Sequence, residues 1–570
     1  MLRYRNLIGA LDAAPAGRRF LTSWIDEDEQ QTLTFGEFRS RARAQAAVLR
    51  SHGLTAGDRV VIIMPQGIPA MTVFVGAMML GAVPTFLAYP NFKVESAKYR
   101  SGLAGVTANL SASAVVIDDE FPDDMLGSVT LSNQTRLLRA GSGGDTRDED
   151  AFKTEIHPVI RQDDLAFIQH SAGTTGLQKG VALTHAAVLR QLEHLAYALQ
   201  IDPAADRVYS WLPLYHDMGL IACFILPMVC HIPVVMQSPL DWVMHPETML
   251  QIIGEHKCTL AWMPNFAFQF TPRRSPQKRW SQYDLSSLRA VVNCSEPVRA
   301  SSMREFQKAF AAAGLKDEAL HSSYAMAENV FAVTQSDPVR GPAHIWADGP
   351  QFRSAHRIVP VAEGTAGAVA FVSSGRLLPN LEVRIVSSGS ALGGSVLGDG
   401  SVGEILVKSD CLFTGYYNRP DLTAQALIDG WYHTGDLGFH LDGELYVVGR
   451  KKDLLIVGGE NIYPQDVEEL VASHSAVHDG RVVALGVYNP DLGTDDIVVV
   501  AELESEELLA NAVEIEAEIR SRVVAGMGVA VRTIFLKPPK WIVKSTAGKP
   551  ARSSTREKLL REHPELNVDD

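Results

Sequence analysis

Between residues 170 and 180 the chain reads HSAGTTGLQKG, with three glycines, two threonines and a serine grouped around a single lysine. Gly173, Gly176 and Gly180 permit tight backbone curvature that leaves amide N–H groups free to face an anion. Ser171, Thr174 and Thr175 add hydroxyl donors, and Lys179 adds a charge. A Walker A loop needs Gly directly before its Lys and Ser or Thr after it; Lys179 lies between Gln178 and Gly180, so that motif fails. The capacity to hold phosphate remains, and a solvated strand-to-helix turn has the same composition. An apolar run at 165–168 precedes the loop and a helical pattern at 184–200 follows it.

Six further segments follow in order. They are SWLPLYHDMGLI (210–221), NCSEPV (293–298), SYAMAE (323–328), YHTGDLG (432–438), GRKKDLLIVGGENIYPQDVE (449–468) and STAGKPAR (545–552). Taken singly, each has a plain reading. His216 in an apolar stretch is a core histidine, Glu328 a solvated acid, Asp436 a turn aspartate, Tyr324 a core aromatic and Lys549 a surface lysine. No His/Cys set has zinc spacing, and no H-E-x-x-H occurs.

Short β-branched runs that alternate with helical patterns have to position these segments. The runs at 59–64, 112–118, 207–213, 232–238, 258–264 and 288–293 read as strands, with helices at 68–80, 246–256 and 299–313. The alternation predicts an α/β fold with layered, mainly parallel sheets. From about residue 381 the texture changes to strands and turns, and Asp442-Gly443 signals a hairpin. After 449–453 comes a smaller α+β unit, with helices at 464–473 and 506–524 and strands at 481–488 and 496–503. The expected division is an N-terminal domain over 1–450, with a β-rich subdomain, and a mobile C-terminal domain over 451–570. Residues 141–150, GSGGDTRDED, read as a surface loop.

At 570 residues the chain exceeds what one core supports. A formal net charge of −14 disfavours non-specific binding to nucleic acid or anionic membrane. Cys223, Cys230, Cys258, Cys294 and Cys411 are odd in number and form no Cys-x-x-Cys pair, which suits reduced thiols in a cytoplasmic protein. The opening residues read as an amphipathic helix and not a signal peptide, and the apolar run at 219–230 is too short to span a bilayer.

Taken together and in register, the seven segments resemble the adenylate-forming superfamily over about residues 30–561. LPLYHDMGLI, NCSEPV and a long stretch after Glu328 containing IWADGPQFRSAHRIVPVAEG resemble its fatty acyl-AMP ligase branch. The resemblance implies that a carboxylate attacks the α-phosphorus of ATP and pyrophosphate leaves. Such a carboxylate is ionised at neutral pH, so the step needs alignment and cations more than a general base. By resemblance Lys549 is the catalytic lysine, and His216 lies at the carboxylate wall. ATP and AMP are held by Ser171, Ala172, Gly173, Thr174, Thr175, Gly176 and Lys179. Asn293, Cys294, Ser295, Glu296, Ser323, Tyr324, Ala325 and Met326 form the nucleoside walls, with Tyr324 stacked on adenine. Asp436 takes the ribose hydroxyls, Arg450 reaches the ribose or phosphates, and Glu328 with Thr175 holds Mg²⁺. The lobe swings about Asp453, bringing Gly458 and Gly459 towards a phosphopantetheine arm.

For that branch the acceptor is holo acyl carrier protein; an acyl-CoA synthetase and an inactive adenylate-binding scaffold are the alternatives. "YHDMG" lacks the aspartate that amino-acid adenylation domains place there. Met78, Met79, Phe266, Phe268 and Phe270 are candidates for an acyl pocket or for ordinary core. Residues 532–561 hold nine Lys/Arg against Glu557 alone, either a solvated basic face or a dock for an acidic carrier. The chain departs from the family pattern at Ala172, Gln178 and Ala325, which bears on substrate class more than on catalysis.

Overall fold

The computed structural model describes residues 4–26, 29–90, 96–127, 135–140, 159–170, 179–387, 394–457, 460–489, 494–544 and 549–566. The β-branched runs form two parallel sheets, as their composition predicts. Arg59–Ile63 lies between Val83–Phe86 and Ala114–Ile117, with Arg136–Arg139 outside. The larger, seven-stranded sheet runs Leu320–Ser322, Ala290–Asn293, Leu260–Met263, Val208–Ser210, Val234–Gln237, Arg19–Trp24, Gln30–Thr34. Only its last pair is antiparallel. Val208–Ser210 is shorter than the run read from the sequence, and Pro213 beyond it has no amide to donate to a ladder.

Helices cover these strands. Ile68–Met79 is buried on nearly every side, and Phe35–Ser51 packs across it, starting at a capping box between Thr34 and Glu37. Gly76 allows that close crossing, since a Cβ there would lie 2.6 Å from the Ala42 carbonyl oxygen. The opening helix, Leu7–Asp12, buries Leu7, Ala10 and Leu11 and is capped by the Asn6 side chain.

The apolar run at 219–230 forms π-helical turns over Met218–Ile225 and then a short α-helix, Leu226–Cys230, all of it buried. π-Turns are rare and concentrate at functional sites. Here Asp217 caps the start by accepting the Met218 amide at 2.8 Å. Gly219 is obligatory, because a Cβ would meet the Pro213 carbonyl oxygen at 2.3 Å.

The β-rich part is antiparallel. Leu381–Val386, Gly403–Ser409, Trp431–Leu441 and Leu427–Ile428 lie in that order, and Glu444–Arg450 pairs with Trp431–Leu441. The expected hairpin turns at Asp442 and Gly443, both at positive φ. Within the long stretch after Glu328, His344–Asp348 lies between Pro360–Val361 and Ala368–Val372, followed in sequence by the helix Gly349–Ala355. Phe352 of that helix stacks on Tyr463 at 5.1 Å.

After Leu455 one three-stranded sheet, Val477–Asn489, Thr494–Leu503 and Val531–Lys537, is covered on both faces. Val499 and Ala501 face Val467 and Val471 of Pro464–Ala472 and Ile519 and Val523 of Ala512–Met527. Val498 and Val500 face Ile542 and Leu559, the latter on Arg552–Glu562. The helix expected from 506 begins at Ala512, preceded by a 3₁₀ segment, Glu506–Asn511. Among the described residues no helix is long and apolar enough to cross a membrane.

Candidate functional site

Two strands of the seven-stranded sheet end at the site. Parallel strands put ligands beyond their carboxyl ends, and Ala290–Asn293 and Leu320–Ser322 run directly into 293–296 and 323–328. Asn293 Nδ2 donates to Asn265 Oδ1 at 2.9 Å, while its Oδ1 is buried with no partner in the protein. Glu296 Oε2 accepts the Phe266 amide at 2.9 Å, so this carboxylate caps the helix Asn265–Arg274. The Ser323 hydroxyl donates to the Thr334 carbonyl at 2.7 Å and the Tyr324 amide to Thr334 Oγ1 at 3.0 Å. Ala325 bridges to Ala332, and the Met326 amide donates to the Phe331 carbonyl at 2.8 Å. Ser295 and Val330 both have positive φ, which strains a β-branched residue such as Val330.

Asp436 enters from Trp431–Leu441, directly opposite Arg450 in the hairpin register. Its Oδ2 accepts the Tyr324 hydroxyl at 2.6 Å and its Oδ1 lies 3.2 Å from Arg450 Nε. Burial raises its pKa, and Arg450 and Tyr324 pull it back towards the ionised form. Gly435 at positive φ turns the strand so that this is possible.

Glu328 Oε1 accepts the Tyr416 hydroxyl at 2.7 Å, and Lys179 Nζ lies 4.6 Å from the centre of the same tyrosine ring. Lys549 crosses from the other lobe and donates to the Ser295 carbonyl oxygen. Its charge reaches His216, Asp217 and Cys294. Burial and then Lys549 push His216 down to about 3, and burial pushes Asp217 up to about 6. His216 Nε2 is buried without a partner.

Ion pairs hold the lobes in this pose. Arg299 lies 2.6 Å from Glu469 and 3.6 Å from Asp466, and Arg273 pairs with Asp479. Asp453 is tied to Arg552 at 3.0 Å, and Arg552 also meets Glu468 at 2.6 Å.

The structure thus brings together Lys179, Glu328, Asn293, Ser295, Tyr324, Asp436, Arg450, His216 and Lys549. Ser171, Ala172, Gly173, Thr174, Thr175, Gly176, Gly458, Gly459 and the expected loop at 141–150 lie outside the described residues. Met78, Met79 and Phe268 are buried in the main apolar cluster, whereas Phe266 and Phe270 are half-buried and flank Trp242 at 6.0 and 5.4 Å. All five cysteines are buried; burial pushes Cys223, Cys230, Cys258 and Cys294 up to about 12 and Cys411 higher. Tyr416 escaped the sequence reading.

The basic run at 532–561 is not one open positive face. Arg532 pairs with Asp496 and Arg552 with Asp453 and Glu468. Lys537 pairs with Glu562 at 2.8 Å, and Lys537 and Lys558 lie 4.6 and 4.3 Å from the Trp541 ring centre. Lys540, Arg556 and Arg561 are exposed.

The buried histidines make the fold acid-sensitive. Burial lowers His170, His185 and His321 to about 4 and His216 to about 3. The unfolded chain takes up these protons near pH 6.5 and the folded chain does not. The stability they contribute is therefore complete above 6.5 and lost as pH falls towards 4. Asp217 and Asp466, raised to about 6, act in the opposite sense below pH 6 but are fewer. At pH 5 each histidine costs about 2 kcal/mol. The melting temperature is expected to drop clearly between pH 7.5 and pH 5; a flat profile would contradict this.

A cation from a small lobe, set beside two strand ends with a buried acid and with a lysine and a glutamate on one tyrosine, fits an adenylate-forming enzyme, which uses ATP. Residues 11–417 match the model of the AMP-binding enzyme family. The chain belongs to that family. It is 30% identical to the long-chain-fatty-acid–AMP ligase of Mycolicibacterium smegmatis, with 95% of this chain and 91% of that protein covered. It is also 30% identical to the 4-hydroxyphenylalkanoate adenylyltransferase of Mycobacterium marinum, with 93% and 86% covered. A solved structure from work on fatty acyl-adenylate ligases of E. coli and L. pneumophila superposes with TM-score 0.89 at 26% identity, over 99% of both chains. The L. pneumophila ligase in complex with acyl adenylate and pyrophosphate gives 0.74 at 26% identity, over 98% of this chain and 97% of that one.

Proposed function

We propose that the protein activates a fatty or related carboxylic acid as its acyl-adenylate and passes the acyl group to the phosphopantetheine thiol of a holo acyl carrier protein. The observation that carries the first half is Lys549, delivered by the C-terminal lobe onto the Ser295 carbonyl beside His216. There the ammonium offsets repulsion between an incoming carboxylate and the α-phosphate, where preorganised charge has its largest effect. Tyr324 and the backbone of 293–296 hold the base, and the orphaned Asn293 Oδ1 suits its amino group. Asp436 accepts from the ribose hydroxyls. His216, kept neutral, lines the carboxylate wall without adding charge.

Glu328 offers a hard carboxylate oxygen of the kind that holds Mg²⁺ together with substrate phosphates, and Lys179, on the same tyrosine, would face those phosphates. Thr175 is the other expected ligand. When bound, the ion would neutralise charge on the departing pyrophosphate.

The division falls at 450/451, and Asp453 is the pivot of the swing that withdraws Lys549 and brings Gly458 and Gly459 towards the thiol arm. The carrier reading rests on the long segment after Glu328, whose Phe352 stacks on Tyr463 of the small lobe, and on the likeness to a long-chain-fatty-acid–AMP ligase and to solved fatty acyl-adenylate ligases. Pyrophosphate release with short, medium and long acids and aryl acids identifies the substrate. Thioester formed on CoA alone would favour a CoA synthetase, and no release with any acid would favour a scaffold. Reversing charge at Lys540, Arg556 and Arg561 is expected to slow carrier loading about tenfold with pyrophosphate release unchanged. Unchanged loading would remove the docking face.

A further inference from the structure

Tyr416 lies between two groups of the phosphate site that come from distant parts of the chain. Its hydroxyl donates to Glu328 Oε1 at 2.7 Å and lies 3.3 Å from the Tyr432 hydroxyl. Its ring carries Lys179 Nζ 4.6 Å from its centre. The backbone around it is tied to both neighbours. Gly415 and Tyr416 pair with Ala182 and Val181, on the strand that follows residues 171–178 in the sequence. The Tyr417 amide donates to the Gly180 carbonyl at 2.7 Å, and the Phe413 amide to the Glu328 carbonyl at 2.8 Å. Phe413 packs edge-on against the Tyr416 ring at 4.9 Å, which fixes the ring plane.

One rigid side chain therefore meets a cation with its face and a carboxylate with its edge. A plain core tyrosine of this burial needs a single partner for its hydroxyl and no cation over its ring. We propose that Tyr416 is a positioning residue that holds Lys179 and Glu328 apart and aimed, so that neither collapses onto the other before the polyphosphate and its Mg²⁺ arrive. Lysine and glutamate within reach of each other would otherwise pair directly, and the site would have to break that pair to bind ATP. A hydroxyl that fixes one carboxylate oxygen also orients the other, as partners behind metal ligands generally do.

The inference rests on the reading of Glu328 and Lys179 as facing the phosphates. The test is calorimetric titration of the whole protein with ATP at several Mg²⁺ concentrations and without acid substrate, which reads binding and not turnover. Tyr416→Phe keeps the ring and removes the hydroxyl. It is expected to raise the Mg²⁺ needed for half-maximal tight ATP binding about tenfold, with metal-free affinity little changed. Tyr416→Leu also removes the ring face and is expected to weaken metal-free ATP binding about threefold or more as Lys179 loses its seat. Melting temperatures show whether each variant is folded. If Glu328→Gln and Lys179→Ala lose ATP affinity while both Tyr416 variants bind as the natural protein does, the positioning role is overturned and the phosphate site stands. If Glu328→Gln and Lys179→Ala also bind normally, the phosphate site itself is wrong.

Discussion

Replacing Lys549 with alanine is expected to cut acyl-adenylate formation about 10³-fold and to leave consumption of preformed acyl-adenylate by thiol within about twofold. The structure carries the reason for the split. Ala551 N donates to Val543 O at 2.7 Å, and Lys544 bridges to Pro550, so the backbone just after Lys549 is paired with residues 543 and 544. Three residues on, Arg552 binds Asp453, Glu468 and the Ala484 carbonyl, which fixes this part of the chain to the small lobe. Lys549 therefore belongs to that lobe, and the proposed swing carries it in for adenylation and out for transfer. Its charge acts on Asp217, which also feels Glu328, and Glu328 in turn acts on Asp436. Removing the Lys549 cation leaves Asp217 without its positive neighbour where the proposed anionic substrate enters. Lys549→Arg keeps the charge but not the shape and is expected to recover only part of the loss. Pyrophosphate release measures the first step and carrier thioester from synthetic acyl-adenylate the second. Adenylation undiminished in Lys549→Ala would sink the mechanism, and loss of both steps would sink the swing.

The parallel sheets were legible because each strand is a short β-branched run buried on both faces, a local property. The helix read at 246–256 forms as Thr248–His256 and that at 464–473 as Pro464–Ala472 for the same reason, since their apolar periodicity is local. What escaped was long-range. Tyr416 sits in FTGYYNRP, which carries no local chemical signal, and its partner Glu328 is 88 residues away. The basic run at 532–561 looked like an open positive face because Asp496, Asp453, Glu468 and Glu562, which neutralise its members, all fall outside that window. The π-helical turns after Asp217 were also invisible, because they depend on Gly219 pressing against the Pro213 carbonyl, a contact of backbone and not of pattern. Glu296 reads from the sequence as a nucleoside-wall candidate, and its service as a cap for Asn265–Arg274 left no local signal.

Asp436→Ala is expected to raise the KM for ATP about a hundredfold and to abolish discrimination between ATP and its 2′- and 3′-deoxy analogues. Hydrogen bonds to a charged acceptor contribute about 1.5–3 kcal/mol each, and the proposed ribose contact makes two. The carboxylate is held ready for them. Its strand puts it opposite Arg450, Tyr324 donates to one oxygen at 2.6 Å, and Arg450 stands 3.2 Å from the other. Burial alone would push it towards the neutral form, in which one oxygen would donate and no longer accept; Arg450 and the tyrosine hydroxyl oppose that shift. Asp436→Asn separates charge from shape, since it keeps the volume but presents an NH₂ group to donors already in place. It is expected to bind ATP no better than the alanine variant, because the buried Tyr324 hydroxyl and Arg450 would face a donor in place of an acceptor. If the natural protein accepted 2′- and 3′-deoxy-ATP as readily as ATP, the ribose assignment would fail even with KM raised in the variants. Asp436 would then act only by anchoring Tyr324 at the adenine wall.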